Sequence, residues 1–194
     1  MTNNSANKIL FLLIIYTKLY SDPYQSFLDF LKNINDTKVD IVFQQIQYGN
    51  NYLTKGDLFI FSQDYYCYDD SEKQIIVTSD SIISINKLNR QVIYDDRIAN
   101  NFSIFDILAG VNLNIEVDST KNKNGMEIIN ITLPDLSLKG VLHTDSITGR
   151  PHNIILKNES SYQLNIEIGE MIEFKRDSFS NIDLMNYEVI DLRE

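Results

Sequence analysis

The run Val39–Tyr94, VDIVFQQIQYGNNYLTKGDLFIFSQDYYCYDDSEKQIIVTSDSIISINKLNRQVIY, decides the fold class. Short stretches of alternating apolar and polar residues recur in it, broken by polar, Gly or Asp/Ser turns. Alternation with period two puts successive side chains on opposite faces, so each stretch predicts a half-buried β-strand. The regular turn spacing joins them into an antiparallel meander, the material of a barrel, half-barrel or sandwich. The predicted strands are 39–48, 52–61, 65–68, 74–78, 81–85 and 90–94. Phe43, Leu58, Ile60, Tyr66, Tyr68 and Ile76 are the candidates for the inner face of this sheet.

Upstream of the run, Asp22, Pro23 and Gln25 give an N-cap, a first-turn proline and capping-box spacing. Tyr24, Phe27, Leu28, Leu31 and Ile34 then recur at helical spacing, and Asn35-Asp36 ends the helix. One apolar stripe means one buried face, so this helix is expected to lie on the sheet. Before it, Met1–Ser21 reads as a signal peptide: Lys8 supplies positive charge and Ile9–Tyr16 an apolar core. That core falls short of the ~20 apolar residues a spanning helix needs. An N-terminal strand or helix buried in a cytosolic core is the other reading. Residues 22–194 are expected to form a single domain.

Downstream, the strand pattern breaks at Asp95–Gly110. Phe102, Phe105 and Leu108 stand at helical spacing, with Asn100 or Asn101 near the start and Gly110 as C-cap. Such a short amphipathic helix inside a meander is either a plug or lid, or a plain connector. Strands then resume at 112–118, 126–133, 137–143, 151–156, 162–168, 171–174 and 187–192, with Gly169-Glu170 read as a turn.

Composition removes several function classes. A net charge of -10 argues against a nucleic-acid binder, because neutralising phosphates requires clustered Lys and Arg. The single cysteine, Cys67, excludes an internal disulfide and a cysteine-built metal site. His143 and His152 are the only histidines, without HExxH spacing, and there is no GxSxG elbow. Asp64, Asp69, Asp70 and Glu72 cluster without EF-hand spacing and read as a solvated loop. No metal, cofactor or catalytic residue is predicted. What remains is apolar surface, and a filled core and a ligand cavity demand the same pattern.

The order of elements resembles the LolA family of periplasmic lipoprotein carriers. Phe43-Gln44 resembles the family's early F-x-Q strand, and the likeness continues through Gly56-Asp57-Leu58-Phe59-Ile60 and Tyr66-Cys67-Tyr68. The run QIIVTSDSIISIN (74–86) is similar to its I-V-S-D-G segment, and Arg90-Gln91-Val92 to its L-x-Q-V. Phe102–Leu108 resembles a helix ending in a Leu-Leu pair, and Ser146–Leu156, with Gly149, Arg150 and Pro151, resembles a D-x-x-G-x-P strand. Each motif is short; the ordered combination, covering most of residues 22–194, carries the resemblance.

The resemblance implies a mainly β fold: an incomplete, open antiparallel β-barrel of about eleven strands covered by short helices. It implies an apolar cavity for the acyl chains of lipoproteins, lined by Phe27, Leu31, Phe43, Leu58, Ile60, Tyr66, Tyr68, Ile76, Phe102, Phe105 and Leu108. It further implies a monomeric periplasmic carrier, served by an inner-membrane lipoprotein-releasing ABC transporter and an outer-membrane acceptor. One departure touches the mechanism. Where relatives have R-P-G-x-F-R-W this chain has Ser62-Gln63-Asp64-Tyr65-Tyr66-Cys67-Tyr68, so the family's gating arginine falls on Cys67. A periplasmic protein-binding or assembly module without lipid cargo is the second reading. A hydrolase built on His143 or His152 comes last.

Overall fold

Period-two alternation along most of the strands yields, among the described residues, one twelve-stranded sheet with two unlike faces. The computed structural model describes residues 22–97, 103–111, 114–158, 162–179 and 182–193. The export signal expected in residues 1–21 therefore lies outside the described residues. Six strands come first: β1 (Thr37–Gln47), β2 (Asn50–Ser62), β3 (Tyr65–Asp70), β4 (Lys73–Val77), β5 (Ser81–Asn86) and β6 (Gln91–Asp96). Six more follow the second helix: β7 (Glu116–Lys123), β8 (Met126–Leu133), β9 (Leu138–Asp145), β10 (Pro151–Lys157), β11 (Tyr162–Glu173) and β12 (Glu188–Asp191).

The order across the sheet is β12-β6-β5-β4-β3-β2-β1-β11-β10-β9-β8-β7. Pairing of β1 with β11 joins the two meanders, and β12 and β7 do not meet, so the sheet stays open. This is the expected open architecture, with twelve strands where about eleven were predicted. One pair departs from antiparallel: β12 runs parallel to β6, because the chain returns from β11 to the far edge.

Gly169-Glu170 is not a turn. Val39 pairs with Met171 and Ile41 with Ile168, so Gly169 and Glu170 together oppose Asp40 inside a continuous β11. Two residues against one make a β-bulge, which bends the strand without ending it.

Helix α1 (Pro23–Lys32) starts where its sequence predicts. The Asp22 carboxylate accepts from the Tyr24 amide at 3.1 Å and Pro23 occupies the first turn. Gln25 does not close a capping box, since its Nε2 donates to Asp29 Oδ1 at 2.7 Å. Helix α2 (Ile104–Ala109) begins later than predicted, behind Ser103; Asn100, Asn101 and Phe102 lie outside the described residues. Gly110, in the left-handed region at φ 75, closes α2 as expected.

Cross-strand partners share a face, so the register sorts the side chains. Leu58 pairs with Tyr68, Ile60 with Tyr66 and Tyr66 with Val77, and all of these face the helices. One buried cluster joins them to Phe27 and Leu31 of α1, Phe105 and Leu108 of α2, and Ile129, Leu142 and Ile154 of the other meander. The outer face has its own cover. Phe59 and Phe61 meet the rings of Phe174 and Phe179 edge-on, at centroid distances from 5.0 Å to 5.4 Å. Arg176 ties this segment down by donating to the Phe61 carbonyl at 2.8 Å and pairing with Asp36.

Candidate functional site

A surface helix buries one stripe, whereas one buried nearly all round fills an interior. Five of the six residues of α2 are buried: Phe105, Asp106, Ile107, Leu108 and Ala109. The helix thus fills the interior as a plug or a buried connector would, and its seat is aromatic. The Phe105 ring stacks on Tyr68 at 4.7 Å and meets Phe43 edge-on at 5.5 Å, while Phe43 and Tyr68 also meet edge-on at 5.5 Å. Gly56 makes room for this arrangement, because a Cβ there would lie 2.8 Å from the Tyr68 ring.

A buried carboxylate locks the plug in place. Asp106 is 2% exposed, and its Oδ1 accepts from the Tyr66 hydroxyl at 2.6 Å and from Arg97 Nη2 at 2.8 Å. Its Oδ2 accepts from the Ser103 amide at 2.6 Å, completing a capping box with the Ser103 side chain. Arg97 follows β6 and is anchored in turn by donating to the Thr78 carbonyl at 2.9 Å. Three donors therefore converge on one buried anion, which is the condition for keeping a charge inside a protein. Burial first, then the Asp106 bond and charge, push the Tyr66 phenol well above its ordinary range. Tyr68 is raised likewise, by burial first and then by the charge of Asp70.

Two voids flank the plug. One, of about 170 Å³, lies among Ile104, Ile107, Leu136, Leu138, Leu156, Tyr162 and Leu164, with Ser103 at its edge. The other, of about 230 Å³, is lined by Phe43, Gln45, Thr54, Tyr68, Lys73, Ile104, Phe105, Tyr162 and Leu164. Ile104, Tyr162 and Leu164 form the partition between them. Each is smaller than the roughly 300–1,000 Å³ of an ordinary ligand cavity. With α2 seated, the hollow is largely filled.

The residues singled out from sequence divide cleanly. Phe27, Leu31, Leu58, Ile60, Tyr66, Tyr68, Phe105 and Leu108 all belong to the inner cluster, with Phe43 packed against it. Phe102 lies outside the described residues. Ile76 faces the other way: it pairs with Cys67 and Ile83, on the face of Phe59, while its neighbours Ile75 and Val77 pack inward. Strand alternation carries Cys67 outward as well, so a side chain at this position points away from α2 and is no gate. Its thiol is fully buried, and burial, helped by the charge of Asp69, pushes it up to about 12. Such a thiol is inert.

Sequence reasoning missed the lock itself: Arg97, Ser103 and Asp106. A signal was available, since Asp106 is the one charged residue between Ile98 and Val111, set among apolar neighbours. His143 stands 3.2 Å from the Asn153 amide oxygen, and Asn153 donates on to Asn165, a polar ladder on the outer face. His152 borders an open hollow with Asp40, Asp57, Asp69 and Glu167. Among the described residues, no group of three or more His, Cys, Asp or Glu could hold a metal ion, and no helix is long and apolar enough to cross a membrane.

The fold has solved counterparts. An uncharacterized conserved protein from Thermus thermophilus superposes with a TM-score of 0.56 at 8% identity, over 87% of this chain and 98% of that one. LolA superfamily protein NE2245 from Nitrosomonas europaea gives 0.48 at 12% identity, over 81% and 97%. LprF from Mycobacterium bovis gives 0.41 at 9%, over 77% and 90%. Of these three, the first exceeds a TM-score of 0.5, and at its identity that likeness speaks for the fold alone. No protein-family model matches the sequence, and no curated protein matches it.

Proposed function

We propose that this protein is a periplasmic carrier that takes the acyl chains of lipoproteins into the hollow now plugged by α2 and moves them from the inner to the outer membrane. One observation carries the reading: a helix buried nearly all round sits in an aromatic-lined hollow and is held there by hydrogen bonds to a single carboxylate. Apolar packing alone would suffice to retain a purely structural helix. A polar lock is a fastening that can be undone.

In this reading an incoming acyl chain takes the place of Phe105 and Leu108 against Phe43, Leu58, Ile60, Tyr66 and Tyr68. Each CH₂ moved out of water contributes about 0.8 kcal/mol, so a long chain offsets the loss of the lock. Arg97 and Tyr66 then hold the closed state, the task that the family resemblance would give to an arginine at position 67. Loading and unloading follow the resemblance, with an ABC transporter at the inner membrane and an acceptor at the outer. No cofactor or bond-breaking step is needed in the carrier.

The test is to purify the protein gently and identify co-purifying acylated species by mass spectrometry, alongside lipoprotein localisation in depleted cells. Bound lipoprotein or acyl chains together with mislocalised outer-membrane lipoproteins are expected. An empty protein that also ignores acylated peptide would leave the second reading, a protein-binding module with a filled core; the small size of the two voids is the observation on its side.

A further inference from the structure

Strand β2 is longer than its neighbour. It pairs with β1 from Asn50 opposite Gln47 to Ile60 opposite Thr37, but β3 ends at Asp70, opposite Gly56. Among the described residues, Asn50–Lys55 therefore have one edge with no strand beside it, over roughly 20 Å at about 3.4 Å per residue. The hairpin turn is two residues, Tyr48 and Gly49, both at positive φ (49 and 79), so Gln47 and Asn50 form a hydrogen-bonded pair. Alternation along the ladder then turns the backbone N–H and C=O groups of Asn51, Leu53 and Lys55 outward, away from β1.

The two true ends of the sheet are guarded against stray pairing, and this edge is not. β7 carries Glu116, Asp118, Lys121 and Lys123 and a bulge between Val117 and Ser119. β12 is four residues long and carries Glu188 and Asp191. Short strands, charges and bulges are the usual protections of a sheet edge. The overhang instead exposes Tyr52 (55%) and Leu53 (63%), with Tyr48 at the turn (80%). Residues 41–56 contain no acidic side chain, in a chain that has 27. A second chain approaching Asn50–Thr54 meets no acidic side chain from this hairpin, the carboxylates of Asp57, Asp69 and Asp70 lying past Lys55.

The position of the overhang selects its occupant. Thr54 of the overhang and Lys73 line the larger void beside α2, so the overhang adjoins the hollow in which the acyl chain is proposed to lie. We infer that Asn50–Lys55 is a docking edge for the polypeptide of the acylated cargo, which pairs with it as an extended strand while its acyl chain lies in the hollow. The inference rests on the carrier reading. Main-chain pairing gives affinity with little demand on sequence, which suits a carrier of many cargoes. A lipid surface would leave the three outward backbone pairs of Asn51, Leu53 and Lys55 unsatisfied.

The experiment compares palmitate with a palmitoylated octapeptide, and with the same peptide N-methylated at alternate residues, on the full chain. Leu53→Pro removes an outward N–H that β1 does not use; Leu53→Ala keeps it. The expected result is at least tenfold tighter binding of the acylated peptide than of palmitate, with amides of Asn51, Leu53 and Lys55 gaining exchange protection. Leu53→Pro and peptide N-methylation each abolish the gain, Leu53→Ala retains it, and palmitate affinity stays unchanged throughout. Equal affinity for palmitate and peptide, or a gain that survives both Leu53→Pro and N-methylation, overturns the inference and leaves the carrier reading standing. Failure to bind palmitate and peptide alike overturns both. Binding to phosphatidylcholine vesicles that depends on Tyr48 and Leu53, without a peptide gain, assigns the hairpin to a membrane and overturns it too.

Discussion

Replacing Asp106 by Asn tests whether the lock sets the readiness of the site. The substitution keeps the shape of the side chain but removes its charge and turns one of its two oxygens into a donor. That NH₂ must then face either the Ser103 amide, a donor only, or Arg97, also a donor only, and the Tyr66 hydroxyl, which can accept from it only by giving up its own bond to position 106. Hydrogen bonds to a charged group contribute about 1.5–3 kcal/mol each, so losing the equivalent of one costs the closed state about 2 kcal/mol. At 1.4 kcal/mol per factor of ten, the open fraction rises about 30-fold. A ligand that binds only the open state gains apparent affinity in the same ratio while that state remains minor. Two measurements should agree: palmitate binding tightens about 30-fold, and the amides of Phe105–Ala109 exchange faster by a similar factor. Asp106→Ala goes further, leaving the Arg97 guanidinium without its counter-ion, and should cost about 3 kcal/mol, the lower end for a broken buried pair because Arg97 keeps a little exposure. Unchanged exchange in α2 together with unchanged palmitate affinity would refute the idea that this carboxylate restrains the plug.

Further outcomes follow from single features. The neutral phenols of Tyr66 and Tyr68 are favoured in the folded state, so their contribution is complete below the unfolded value near 10. It is lost above that at about 1.4 kcal/mol per pH unit for each ring; urea unfolding at about pH 9 and about pH 11 should show the drop. Cys67 should resist thiol reagents at about pH 8 in the native state and react only as the protein unfolds, since its thiol is both buried and held near 12. Gly149→Ala should lower stability by more than about 2 kcal/mol in thermal melts, because the new Cβ would lie 2.2 Å from the Ser26 carbonyl oxygen of α1 at a backbone φ of 73. The Asp145 carboxyl, held down by bonds from the Thr148 amide and hydroxyl and the Ile147 amide, should titrate by NMR below the ordinary carboxylate value; a normal midpoint would mean the turn is not formed in solution.

The strands were legible because period two survives wherever one face is drier than the other. The N-terminus of α1 was legible because Asp22 and Pro23 act on their own neighbours. What sequence could not resolve depended on the partner strand. Gly169-Glu170 has the composition of a turn, and only its register against Asp40 makes it a bulge. Ile76 and Ile75 are chemically equivalent, so the inward one is chosen by pairing with Tyr68 rather than by any local preference. The lock lay deeper still: Tyr66 and Asp106 are 40 residues apart, and Arg97 reaches the same oxygen from the end of β6. A lone aspartate in an apolar helix announces that some partner exists without saying which.

The chemistry of that lock bears on why the plug is fastened this way at all. Apolar contacts alone would hold α2 more firmly, since replacing a buried ion pair by well-packed hydrophobic groups is often neutral or stabilising. For the proposed carrier firmness would be a defect, because every kcal/mol added to the closed state is subtracted from ligand affinity. Asp106 gives the closed state a defined geometry instead: its oxygens fix α2 against β3 through Tyr66 and against the end of β6 through Arg97. Once the helix moves, the carboxylate and the guanidinium can each return to water, which recovers much of their hydration. The same groups that place the helix with angular precision therefore lower the cost of releasing it. An apolar plug in the same seat would have to expose Phe105 and Leu108 with nothing to offset them.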